Sequence, residues 1–220
     1  MQKESKKNLY TSLIMIIAFI LWTSSLYFVD VKPIGPLESS VGFATMNASF
    51  HNLTGINMTL YTITDWLGLI PIAVMLGFAL LGLAQWIKRK NLKFVDYNIF
   101  VLGGFYIAVM AVYIIFEFLA VNYRPVLING YLEASYPSST TMLVLCVMPT
   151  AIMQLNSRIK SVTIRRCISS AIALFIIFMV FGRLISGVHW FSDIIGGVLI
   201  SAGLVFMYRF AITLKSSSAG

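Results

Sequence analysis

A chain of 220 residues that is 59% hydrophobic and only 11% charged, with a mean hydropathy of +0.87, has too little polar surface for a water-soluble domain of its size. Its formal charge of +8 could suggest nucleic acid, but the basic residues gather between apolar runs and mark membrane topology instead, so no nucleic-acid partner is expected. Two cysteines, Cys146 and Cys167, fall in or beside predicted helices and imply no disulfide framework.

Six apolar segments, centred near residues 19, 74, 109, 147, 176 and 202, predict an all-α fold. The expected architecture is an integral membrane bundle of six transmembrane helices in a single membrane domain, 1–220. The first run, about residues 9–29, is too long for a signal-peptide core and lacks a small-residue cleavage site, so it reads as a retained span. Residues 30–58 mix prolines, polar and apolar side chains, and predict a short interfacial helix in the first outer loop. Their sequons at Asn47, Asn52 and Asn57 read as chance matches. The second run, about residues 60–87, exceeds the roughly 20 residues a bilayer needs and must tilt or protrude. Gly77, Gly82, Gly103, Gly104, Gly196 and Gly197 read as close helix contacts.

After the third run, Pro125 stops the helix beside Arg124. The fourth opens at Pro137, Ser138 and Ser139. The fifth and sixth meet in GRLISGVHWFSD, residues 182–193, where Gly187 is the expected break. That break places His189 in the first turn of the sixth helix, with Asp193 four residues on and on the same face.

Six spans put both termini on one side. Lys3, Lys6 and Lys7 share that side with the basic loops around residues 88–93 and 158–166 and with Arg209 and Lys215, which makes 13 of the 16 basic residues. The positive-inside rule makes this face cytoplasmic, in a plasma membrane of bacterial type. Lys32, Arg124 and Arg183 are left for the outer face. There the three polar stretches converge. A helix start at Ser138 and Ser139 offers free N–H groups to an anion, two arginines can grip phosphate oxygens, and a histidine held by an aspartate is a better nucleophile.

Each residue also has a plainer reading. The serines could be helix caps, His189 an interfacial histidine beside Trp190, and Arg183 a snorkelling side chain. Their coincidence at one depth, on a face with few other charges, favours a metal-free phosphoryl-transfer site. The chain has only His51 and His189 and no carboxylate–histidine cluster, so neither a metal nor another cofactor is expected.

These residues resemble the type 2 phosphatidic acid phosphatase family of membrane lipid phosphatases, whose pattern is K-x6-RP, then PSGH, then SR-x5-H-x3-D. Arg124-Pro125 matches the end of the first part, Pro137-Ser138-Ser139 most of the second, and Arg183, His189 and Asp193 the third; the resemblance spans about residues 60–210. It implies that His189 attacks phosphorus to form a phosphohistidine and that Asp193 orients it. Arg124, Arg183, Ser138 and Ser139 would hold the phosphate, and water would release it. The implied substrate is a lipid phosphate or diphosphate: undecaprenyl diphosphate, phosphatidylglycerol phosphate or phosphatidic acid.

Two positions depart from the pattern. Glu117 stands where the family has lysine. Thr140 stands where it has the histidine that protonates the leaving group, a contribution of roughly 10²–10⁴-fold. The expectation is a lipid phosphatase impaired by Thr140, through a substitution made to trap a ligand or a natural loss; rescue by His51 is the weakest option. A catalytically silent lipid-phosphate binding protein is the alternative. A small transporter using Asp65 and Glu117 is a more distant one.

Overall fold

Helix α1 (Gln2–Ser25) begins well before the apolar run, because Lys, Glu and Gln are good helix formers and carry the helix out beyond the membrane. It also ends sooner. Around Leu26–Val29 the chain tightens into i→i+3 bonds from Tyr27 N–H to Ser24 and from Phe28 N–H to Ser25, and Asp30 then takes a positive φ of 46°. The structure, a computed structural model, describes residues 2–218.

The outer loop is braced by Asp30. Its carboxylate accepts from the Thr45 N–H at 2.6 Å and pairs with Lys32 at 2.7 Å. The hydrogen bonds from Lys32 and Thr45 hold this carboxyl down at about 2. Asp30 thereby satisfies a free amide at the start of α2 (Ala44–Thr54), the short helix of the first outer loop. Asn47 on α2 is fully buried and bonds Ser192, so this sequon has no free amide to modify.

The long second run is two helices, α3 (Met58–Leu67) and α4 (Leu69–Arg89), meeting at Gly68. Pro71 has no N–H to offer the Leu67 carbonyl, which explains a break at this point. The excess length thus becomes a separate outer helix rather than a single tilted span. Helices α5 (Tyr97–Leu119), α6 (Ser139–Arg158), α7 (Val162–Ile185) and α8 (Phe191–Ser218) follow. Six stretches, with α3 and α4 counted as one, are long and apolar enough to cross a membrane, which makes this an all-helical multi-pass membrane protein.

Helix α6 lies innermost, with Met142, Val144, Cys146, Val147 and Ala151 buried against its neighbours. Helices α1 and α8 close one side through small residues. Ser12 donates to the Gly203 carbonyl at 2.8 Å, and a Cβ on Gly203 would come within 2.8 Å of Ile16. Gly196 likewise makes room for the Tyr136 ring, 2.4 Å from where its Cβ would be. Gly77, Gly103 and Gly104 differ from expectation: a Cβ on any of them would meet open space, so they mark no helix contact. Cys146 is buried, Cys167 is exposed, and both are free thiols.

Candidate active site

Three connections at one end of the bundle build the site. The first is the link from α5 to α6. Helix α5 ends at Leu119 with Ala120 in the left-handed region, φ 42°, five residues before the proline expected to stop it. The chain then makes a small hairpin, with Ile128 facing Tyr131 and Tyr123 facing Ala134. Asn129 and Gly130, with φ 51° and 84°, supply the two positive-φ turn positions that such a hairpin requires. In this hairpin the Arg124 N–H donates to the Glu133 carbonyl at 3.0 Å, while Arg124 Nε lies 3.1 Å from the Glu133 carboxylate. Arg124 therefore enters the site from a hairpin arm, not from a helix end.

The second connection joins α7 to α8. Gly187 breaks the helix as expected, at φ 67°, and a Cβ there would lie 1.8 Å from the Gly55 carbonyl oxygen. Only glycine suits both the conformation and that close approach. The break is longer than anticipated, however. Helix α8 starts at Phe191, so His189 precedes it instead of sitting in its first turn. Asp193, the third residue of α8, reaches back to accept the Trp190 N–H at 2.9 Å, one half of a capping box. This bond positions the turn that carries His189.

The third contribution comes from α3, which sequence reasoning did not bring to the site. Arg183 is 1% exposed on the last turn of α7 and faces three α3 side chains. Its Nη1 lies 3.5 Å from the Asp65 carboxylate and donates to Thr64 Oγ1 at 3.4 Å, and its guanidinium stacks 4.9 Å from the centre of the Tyr61 ring. The Arg124 guanidinium lies 5.7 Å from the same ring. The signals for α3 in the sequence are the length of the second run, Pro71, and Asp65, a carboxylate inside an apolar run that reads along the chain only as a transporter's ion site.

Both arginines point at one atom. Arg124 Nη1 is 3.3 Å and Arg183 Nη2 is 3.5 Å from His189 Nε2. On its other nitrogen, His189 Nδ1 lies 3.0 Å from Ser135 Oγ and 3.9 Å from Asp193 Oδ2. Asp193 is fully buried and accepts from Asn122 Nδ2 at 3.2 Å and from Ser135 Oγ at 2.5 Å. Burial, with the positive charges of Arg124 and Arg183 adding to it, pushes the His189 imidazole well below its usual range. Its ring is therefore neutral at neutral pH.

A cleft of about 720 Å³ opens beside these residues, lined by Arg124, Arg183, Ser139, Thr140, Asp65, Glu117 and Glu133 among others. Thr140 is buried in its wall, with its methyl near Gly68. Ser138 differs from expectation: it does not line the cleft, its N–H donates to the Asp193 carbonyl at 3.1 Å, and its hydroxyl accepts from Thr141 at 3.0 Å, so its amide is not free for phosphate. Ser139, the first residue of α6, does line the cleft. Glu117 lines the cleft without taking either arginine; those pairings belong to Glu133 and Asp65. His51 packs against Trp190 and is not among the cleft-lining residues.

Residues 117–215 match the model of the PAP2 superfamily, which takes in the hairpin, the start of α6 and the whole α7–α8 turn. This stretch of the chain is similar to the PAP2 superfamily. The fold agrees: a crystal structure described as the first transmembrane PAP2 type phosphatidylglycerolphosphate phosphatase from Bacillus subtilis aligns with a TM-score of 0.61 at 13% identity, covering 91% of this chain and 94% of that one. No curated protein matches the sequence. The matched region holds Arg124, Arg183 and His189, whereas the α3 side chains that face Arg183 lie before it.

Proposed function

We propose that this protein is a lipid phosphatase acting on a phosphate or diphosphate headgroup through a phosphohistidine at His189. The match of residues 117–215 to the PAP2 superfamily supports phosphatase activity, and the membrane-spanning fold supports a lipid substrate. The observation that carries the mechanism is the approach of two guanidiniums to one imidazole nitrogen. Two cations turned toward a neutral ring make sense when an anion is to be held between them. Arg183 Nε is moreover buried without a hydrogen-bond partner, a vacancy that phosphate oxygen can fill.

In this reading the headgroup enters the cleft and its phosphate bridges Arg124, Arg183 and the first-turn amides near Ser139. The Nε2–P bond forms as the P–O bond to the leaving group breaks, and the electron pair stays with the departing oxygen. Thr140 is far too weak an acid to protonate that oxygen, which must then take its proton from water, so turnover is slow. Water next attacks the phosphohistidine and regenerates the ring. The site faces outside and both termini are cytoplasmic, as the distribution of Lys and Arg implies.

The experiment is phosphate release in detergent from phosphatidylglycerol phosphate, undecaprenyl diphosphate and phosphatidic acid, using the parent chain, Thr140→His and His189→Ala. Release that rises in Thr140→His and vanishes in His189→Ala supports the reading. Tight lipid-phosphate binding with no release from either the parent or Thr140→His favours a silent binding protein, the reading that Thr140 itself invites.

A further inference from the structure

Ser135 stands between the two residues that would ordinarily bond directly. His189 Nδ1 and Asp193 Oδ2 are 3.9 Å apart, beyond hydrogen-bond reach. Asp193 is held at that distance by the Trp190 N–H, Asn122 Nδ2 and, at 3.4 Å, the Ser192 hydroxyl. The Ser135 hydroxyl fills the gap, 3.0 Å from the ring nitrogen and 2.5 Å from the carboxylate. Ser135 is 3% exposed, and its own N–H is anchored to the Asn122 carbonyl at 2.8 Å.

A count of protons settles the direction of each bond. At 3.3 and 3.5 Å the guanidiniums of Arg124 and Arg183 favour a lone pair on His189 Nε2 but are too distant to fix the tautomer by themselves. The shorter bridge at Nδ1 decides where the ring proton sits. An ionised Asp193 can only accept, so Ser135 gives its proton to the carboxylate and receives the Nδ1–H on its oxygen. A hydroxyl is the small group that can donate and accept along one line at once.

We propose that Ser135 is the positioning residue for His189: it locks the Nδ1–H tautomer, aims Nε2 at phosphorus, and passes the stabilising charge of Asp193 to the ring when it becomes cationic. This rests on the phosphohistidine reading for its purpose, but the tautomer lock is a property of the resting protein. Replacing the hydroxyl leaves the ring without a partner at Nδ1 and Asp193 with one acceptor position unfilled.

The test separates the two ideas. The chain has two histidines, so ¹⁵N-histidine labelling gives two ring systems, assigned with a His51→Asn variant. The parent and Ser135→Thr should show His189 protonated on Nδ1, whereas Ser135→Ala should show a mixture of tautomers. In the Thr140→His background, where release is faster, Ser135→Ala should lower kcat about 10–100-fold with KM within about twofold, and Ser135→Thr should restore most of it. An unchanged Nδ1–H tautomer in Ser135→Ala overturns the proposal, whatever its kcat, since any loss of rate is then ordinary packing. A parent ring protonated on Nε2 overturns it too. A lost tautomer preference in Ser135→Ala together with no phosphate release from any variant leaves the positioning role standing and removes the phosphatase reading.

Discussion

The bundle carries two clusters of opposite charges, one at each end, and they are built differently. At one end Asp96 pairs with Arg89 at 2.9 Å and lies 3.9 Å from Arg158, and Gln85 donates to it at 2.8 Å. Asp96 and the two arginines are 29–43% exposed, and the two cations share this one carboxylate in contact with solvent. At the other end the side chains of Arg183, His189 and Asp193 are at most 1% exposed, and the two arginines meet at one neutral ring while their carboxylate partners, Asp65 and Glu133, are 56% and 41% exposed. The first cluster is a solvated pairing at a helix start, worth little to stability. The second brings two largely buried guanidiniums together with solvent-exposed carboxylates to offset them, which costs stability that a bound anion would recover. Difference in burial, not in residue type, separates a surface ornament from a site.

The comparison can be broken or sharpened by mutation. His189→Ala should abolish phosphate release, down to background in an assay sensitive to a 10³-fold loss, because the chain's other histidine, His51, packs against Trp190 and approaches neither arginine. Thr140→His should raise kcat by about 10²–10⁴-fold, with the KM of the parent, if a proton donor is what the wall of the cleft lacks. Arg183→Lys keeps the charge but loses the planar fork, and a drop of about 10²-fold in kcat/KM is expected. A lysine that works as well as the arginine would mean that charge alone matters there.

The dependence on pH gives a gentler test. Because burial and the two arginines hold His189 below its usual range, the nucleophile stays neutral as pH falls from 8 through 6.5. The rate of phosphate release should therefore be level across that window as far as His189 governs it, falling only in more acidic solution. Stability follows the same sign. The unfolded chain takes up a proton near pH 6.5 that folded His189 refuses, so the thermal midpoint should decline as pH drops below that value. The smallest effect belongs to the exposed cluster: Asp96→Asn should cost at most about 1 kcal/mol in a denaturation measurement and leave phosphate release unchanged.

Much of the fold was legible along the chain. The apolar segments, the helix in the first outer loop and the break at Gly187 all follow from local chemistry: hydropathy, helix propensity and a positive φ. Other features needed the three-dimensional chain. The division of the second run at Gly68 is signalled by Pro71, yet nothing local says that the short outer helix will deliver Tyr61, Thr64 and Asp65 to Arg183. Nor does spacing reveal that Ser138 is spent on Asp193 and Thr141, or that Glu133 and not Glu117 takes Arg124.

By itself, then, the sequence determined where the membrane segments lie and which residue types could handle a phosphate, because hydrophobic periodicity and side-chain chemistry are properties of short stretches. Only the tertiary structure decided which hydroxyl meets which carboxylate. Ser135 and Asp193 are far apart in the chain and 2.5 Å apart in space, and a hydrogen bond depends on tenths of an ångström that packing alone sets.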